Sequence, residues 1–126
     1  MQPATHILVV DDDLDSLALH RDVLQGAGFE VETAPDGLSA LRICRRRRPQ
    51  LVLLDLLMPG MDGGEVLKQF RNDERMKLVP VVALTGVPEW LQDHRDEAAE
   101  FDEILLKPVP QDLLVQSVGR LLGVPL

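Results

Sequence analysis

Five side chains in this 126-residue chain have the types and order needed to handle a phosphoryl group. Asp11 and Asp12 close the apolar run His6-Ile7-Leu8-Val9-Val10, and Asp55 closes the run Leu51-Val52-Leu53-Leu54. Thr85 ends a third run, Val81-Val82-Ala83-Leu84, and Lys107 a fourth, Ile104-Leu105-Leu106. A buried apolar strand needs no acid at its tip, whereas the rim beyond the carboxyl ends of an open parallel sheet is where ligands bind. Three carboxylates gathered there repel one another, so one keeps a proton or a cation neutralises them. The donors are all oxygens, which favours a hard ion. Mg²⁺ suits the set because it retains waters and uses few carboxylates. The sequence holds no Cys/His cluster with zinc spacing. An Asp beside such an ion can act as a nucleophile and form an aspartyl phosphate. The Lys107 ammonium, the Thr85 hydroxyl and nearby backbone N–H groups could hold the remaining phosphoryl oxygens.

Bringing these groups to one rim requires alternating strands and helices, and the chain reads that way. Strands are expected at about 6–11, 29–33, 50–55, 79–85 and 102–107. Helices are expected at about 14–26, from near Asp36 to Arg45-Arg46-Arg47-Arg48, and at about 63–73, 88–99 and 110–122. Gly26-Ala27-Gly28 is a helix stop, and Pro88 and Pro110 are first-turn prolines. Five strands alternating with five helices predict an α/β fold, a parallel sheet covered on both faces in three layers, α-β-α. The first, third and fourth strands are continuous apolar runs, as a doubly covered strand requires. The second, Phe29-Glu30-Val31-Glu32-Thr33, alternates and is placed at an edge. The flavodoxin-like (βα)5 order 2-1-3-4-5 satisfies this and sets the first and third strands side by side. Asp11, Asp12 and Asp55 then meet in one crevice.

Length predicts a single domain, 1–126, with a core of about 5–122. The apolar runs are far shorter than the ~20 residues of a membrane span. Met1-Gln2-Pro3-Ala4-Thr5 lacks the features of a signal peptide. The one cysteine, Cys44, cannot form an internal disulfide, so a reducing cytoplasm is expected. A net charge of −8 argues against nucleic acid as a direct partner. Arg45–Arg48 reads first as a solvated helix end complementing the helix dipole, and second as a docking patch for an acidic partner.

The motifs Val9-Val10-Asp11-Asp12, Asp55-Leu56-Leu57-Met58-Pro59-Gly60-Met61-Asp62-Gly63, Ala83-Leu84-Thr85-Gly86 and Lys107-Pro108 occur in order at suitable intervals. With them the chain resembles a response-regulator receiver domain, the phosphoacceptor of two-component signalling, over about residues 5–122. The resemblance implies phosphorylation at Asp55 by a histidine kinase or histidine phosphotransfer protein. It implies a direct Mg²⁺ ligand in Asp12, one acting largely through water in Asp11, and the backbone carbonyl of Leu57 as a further ligand. It also implies that Thr85 follows the phosphoryl oxygen, that Lys107 pairs with the phosphate, and that Lys107-Pro108 is cis.

Other nearby groups read as structural. Asp13 or Asp15 is expected to cap a helix, and Asp62 to serve its glycine-rich turn. His6, His20 and His94 show no partner pattern. His20 is placed on the apolar face of its helix with Leu19, Val23, Leu24 and Ala27, and Trp90 is expected to pack.

Three positions depart from the family. Tyr or Phe is usual three residues before the lysine, where this chain has Ile104 and no Tyr anywhere. The usual inward-swinging aromatic is therefore missing from the switch position. The two positions flanking the phosphate are Leu57 and Val87, neither of which can hydrogen-bond an attacking water. Slow self-hydrolysis is the expectation.

Gly123-Val124-Pro125-Leu126 reads as an ending, favouring a stand-alone receiver that signals by binding. The expected surface is the fourth helix, fifth strand and fifth helix, acidic with Glu89, Asp93, Asp96, Glu97 and Glu100, for a downstream partner or a homodimer. Two other classes compete. A Mg²⁺-dependent phosphohydrolase with an aspartyl nucleophile would place a second Asp at position 57, which here is Leu. A phosphate-independent docking module would have no need of the acid set, Thr85 and Lys107.

Overall fold

Alternate residues of a strand point to opposite faces, so a continuous apolar strand must be covered twice. The computed structural model describes residues 4–124. Residues 1–3 and Pro125-Leu126, on which the expectations of no signal peptide and of a chain ending partly rest, lie outside the described residues. The elements run β1 (His6–Val10), α1 (Leu14–Gly26), β2 (Glu30–Ala34), α2 (Gly37–Arg46), β3 (Leu51–Asp55), α3 (Gly63–Arg71), β4 (Val81–Thr85), α4 (Glu89–Asp93), α5 (Arg95–Ala98), β5 (Glu103–Leu106) and α6 (Gln111–Leu122). The sheet is parallel in the order β2-β1-β3-β4-β5. This is the flavodoxin-like arrangement read from the sequence.

All residues of β1, β3 and β4 are buried. Leu8, Val10, Val52, Leu54, Val81 and Ala83 pack against Ala40, Cys44, Val66, Leu67, Phe70 and Trp90 from α2, α3 and α4. On the other face, Ile7, Val9, Leu51, Leu53, Val82 and Leu84 meet Leu17 and Leu24 of α1 and Leu114 and Val118 of α6. Each Val, Leu, Ile or Phe among them contributes about 1.5–3 kcal/mol through removal from water. Among the described residues no helix is long and apolar enough to cross a membrane.

Three acids cap helices: Asp13, one of the two expected to, together with Asp36, read only as a helix start, and Asp62, read as turn chemistry. Asp13 Oδ1 accepts from the N–H groups of Asp15 and Ser16 at 3.0 and 3.3 Å. Asp36 caps α2 through Ser39 N–H at 2.7 Å, and Asp62 caps α3 through Glu65 N–H at 3.0 Å. The α1–β2 connection turns at Gly28, where φ of +98° suits a residue without Cβ.

Two expectations need correction. The single helix at 88–99 is instead α4 and α5, broken at His94 with φ −130° and ψ 45°. The His94 ring stacks on Trp90 with centroids 4.1 Å apart and planes 7° apart, and its Nδ1 lies 2.8 Å from the Trp90 carbonyl oxygen. A side chain thus occupies the carbonyl that the next helical N–H would use. The second correction concerns α1, where Leu19 is exposed while His20 is buried. The buried stripe is Leu17, His20 and Leu24, and Leu19 stands about 200° around the helix from Leu17. His6, which showed no partner pattern, has Nε2 2.9 Å from Glu32 Oε1.

At the amino-terminal ends of β4 and β5, the Arg71 guanidinium ties several segments together. It donates to the carbonyls of Lys77 (3.3 Å), Val79 (3.0 Å) and Glu100 (3.2 Å), and to Asp102 Oδ2 at 3.1 Å. Asp102 Oδ2 also accepts from Val81 N–H at 2.7 Å, and Asp102 N–H donates to the Val81 carbonyl at 2.9 Å.

Candidate functional site

Register carries the five predicted side chains to one rim. Val10 lies opposite Leu54, Asp55 opposite Leu84, and Thr85 opposite Leu106. Asp11 follows β1, Asp55 ends β3, Thr85 ends β4, and Lys107 follows β5. Asp11, Asp12 and Asp55 each offer a carboxylate oxygen, and these oxygens lie within 4.8 Å of one another. Asp11 and Asp55 are buried and Asp12 is exposed. The Lys107 ammonium donates to Asp11 Oδ2 at 2.8 Å and stands 3.8 Å from Asp55 Oδ1.

The two buried acids differ in electrostatics. Burial pushes the Asp55 carboxyl up to about 7; Lys107 opposes this and Asp11 reinforces it. Its one backbone hydrogen bond, from Leu57 N–H, is long at 3.4 Å. Burial also works to raise Asp11, but the Lys107 ammonium and the Asp13 N–H at 3.0 Å hold it below the usual carboxylate range. One cation facing three acids leaves negative charge over, and the donors are oxygens. That set fits a hard divalent ion such as Mg²⁺, with Asp11, Asp12 and Asp55 as the residues to hold it.

Thr85 faces its own loop. Its Oγ1 donates to the Val87 carbonyl at 3.2 Å and accepts from Val87 N–H at 3.0 Å. Leu57 and Val87, the flanking positions, have side chains exposed at the rim. Ile104 lies opposite Ala83 and is half-buried against the α2–α3–α4 side of the core. The Lys107-Pro108 bond is cis.

Gly63 was read only as part of a turn, but it also bears on the site. A Cβ there would meet Leu56 Cα at 2.8 Å and the Asp55 carbonyl oxygen at 2.9 Å. The start of α3 therefore presses directly on the backbone that carries Asp55. The Gly63-Gly64 pair was the available signal, and turn chemistry alone accounted for it. His20 lies close by and lines a cleft of about 390 Å³ with Ser16, Lys107 and Pro108.

The family model of the response regulator receiver domain matches residues 7–119. The chain is 27% identical over 117 residues to the polar-differentiation response regulator DivK of Brucella anthropi, spanning 93% of this chain and 95% of that protein. Among solved structures it is similar to the chemotaxis protein CheY4 of Vibrio cholerae, with 32% identity, a TM-score of 0.84, and coverage of 94% and 98%. The receiver domain of NtrX from Brucella abortus gives 30% identity, a TM-score of 0.84, and coverage of 94% and 99%.

Proposed function

This chain belongs to the response regulator receiver domain family, and from that premise we propose that it is a phosphorylation-controlled switch with Asp55 as its phosphoacceptor. The observation that carries the reading is the single rim on which Asp55, Lys107 Nζ at 3.8 Å, and Thr85 from the neighbouring strand stand together.

The donor would be a phosphohistidine on a histidine kinase or a histidine phosphotransfer protein. An Asp55 carboxylate oxygen attacks phosphorus and the P–N bond breaks. The imidazole keeps the electron pair and takes up a proton, and Asp55 becomes an aspartyl phosphate. A Mg²⁺ ion held by Asp11, Asp12, Asp55 and the Leu57 carbonyl would, when bound, neutralise charge on the phosphoryl oxygens. Lys107 shifts from Asp11 toward the new phosphoryl group. Thr85 exchanges both bonds to Val87 for one to a phosphoryl oxygen, which frees the loop entering α4. Phosphorylation thereby biases a two-state equilibrium.

The output is binding. Glu89, Asp93, Asp96 and Glu100 on α4, α5 and the turn beyond are exposed, so a downstream partner reaching the α4–β5–α6 face would present basic groups. Beyond phosphorylating and dephosphorylating itself, the chain is not an enzyme in this reading. Cys44, free and buried, is compatible with a reducing cytoplasm.

Intact-mass measurement after incubation with acetyl phosphate and Mg²⁺ tests the reading. One phosphoryl increment in the wild type, absent from Asp55→Asn and abolished by EDTA, is the expected result. No increment together with no release of inorganic phosphate would overturn it.

A further inference from the structure

We infer that this chain associates head to tail with further copies of itself, the arginine ridge of α2 on one copy seating on the acidic face at 89–100 of the next. The ridge and the face both carry charge that the chain itself leaves largely unanswered. Arg42, Arg45 and Arg46 follow one another at i, i+3 and i+4 on α2, all exposed. Arg48 and Arg75 extend the patch. Arg48 Nε donates to the Arg75 carbonyl at 2.6 Å, and Arg75 Nη1 to the Arg45 carbonyl at 2.8 Å. Those bonds fix the patch's shape without neutralising it. Among the described residues, the carboxylates answering this patch are Glu30, paired with Arg47 at 2.7 Å, and Glu32, 3.9 Å from Arg46.

The opposing surface carries the exposed Glu89, Asp93, Asp96 and Glu100, with Arg95 as the one cation in that stretch, while the half-buried Glu97 turns its carboxylate toward Gly64 at the start of α3. None of these six side chains is ion-paired among the described residues. They are carried by two short helices broken at His94 and by the turn beyond, so they form an acidic patch and not one continuous helical stripe.

Position sets the symmetry. α2 follows edge strand β2, whereas α4 and α5 precede the other edge strand, β5. α2, α4 and α5 all pack on one face of the sheet, so ridge and acidic patch lie at opposite edges of one helical layer. Different patches meeting make a heterologous contact, which extends as a chain unless its rotation closes. A second copy is favoured over a polyphosphate because the chain itself carries the complementary acidic face, whose discrete carboxylates suit the planar guanidinium fork. The Arg47–Glu30 pair already shows that geometry, with two bonds of 2.7 and 3.0 Å. Contacts of this kind are weak and sensitive to salt.

Sedimentation velocity on the full chain, over a concentration series at low and high ionic strength, tests the inference. The wild type is expected to gain mass with concentration at low ionic strength and to lose that gain in high salt. Two neutralised variants, Arg42→Gln/Arg45→Gln/Arg46→Gln and Glu89→Gln/Asp93→Asn/Asp96→Asn, are each expected to stay monomeric alone. Mixed, they should form a one-to-one pair that cannot extend, since each retains one charged face. Circular dichroism confirms that both are folded. A wild type monomeric at every concentration overturns the proposal, as does association that survives in both variants or a mixture that never pairs. Oligonucleotide binding lost with the arginines, without self-association, would assign the ridge to a phosphate partner instead.

Discussion

Lys107 Nζ lies 2.8 Å from Asp11 Oδ2, although β4 and β3 separate the strands that carry them. This bond closes the rim and holds Asp11 ionised. Removing one partner leaves a fully buried carboxylate without its cation. Lys107→Ala is expected to destabilise the metal-free protein by about 1–3 kcal/mol, below the full buried-pair cost because the lysine is partly solvated. Urea unfolding measures it, and Mg²⁺ should recover part of the loss.

Asp55 gives the protein a pH dependence. Its carboxyl is pushed up to about 7 by burial, whereas an unfolded Asp titrates near ~3.9. Between those values the folded state holds a proton that the unfolded state has released, so this group's contribution to stability falls as pH rises through the window. Urea midpoints of the metal-free wild type should therefore fall, relative to Asp55→Asn, between about pH 4 and pH 7. Mg²⁺ binding should release protons at the lower end of the window. Equal pH profiles for the two proteins would refute the assignment.

Val87 O is shared by two donors, Thr85 Oγ1 at 3.2 Å and Trp90 N–H at 3.1 Å. When Thr85 leaves, the first turn of α4 loses an anchor. Trp90 is the only tryptophan, so its fluorescence reports that turn directly. A stable phosphoryl mimic such as beryllofluoride should shift the emission of the wild type. Thr85→Ala should still accept the mimic but show a much smaller shift.

Leu57 and Val87 present no group able to orient water beside Asp55. A Leu57→Asn variant is expected to lose its phosphoryl group about tenfold faster, the rate equivalent of one net hydrogen bond to the attacking water. Decay of the phosphoryl mass increment measures the rate, and an unchanged half-life would rule out the apolar wall as the cause.

Gly63 meets backbone rather than a yielding side chain. Gly63→Ala should cost about 1–3 kcal/mol, the range for overpacking, and displace Asp55. Phosphorylation by acetyl phosphate should slow more than in Gly26→Ala, because a Cβ at Gly26 would have nothing within 4 Å.

Much of this was legible in the sequence because the signals were local. The apolar runs of β1, β3 and β4 are continuous since both faces are covered, and the acids, Thr85 and Lys107 sit where those runs stop. Asp13 caps the helix that follows it, as expected, whereas Asp36 and Asp62 are caps where only a helix start and a turn were read. What was not legible depended on choices between nearly equal local bonds. Residues 88–99 contain no Gly or Pro after the first position, so nothing announces a break. His94 makes one by taking the Trp90 carbonyl with its ring. The pressure of Gly63 on Asp55 is likewise a contact between a helix start and a strand end.

Arg71 is a clamp on the molecule. It anchors the entrances to β4 and β5 through Val79, Glu100 and Asp102, at the opposite end of those strands from Thr85 and Lys107. The two strands are thus cross-tied where they begin, and the candidate site stands at the ends that this clamp does not touch.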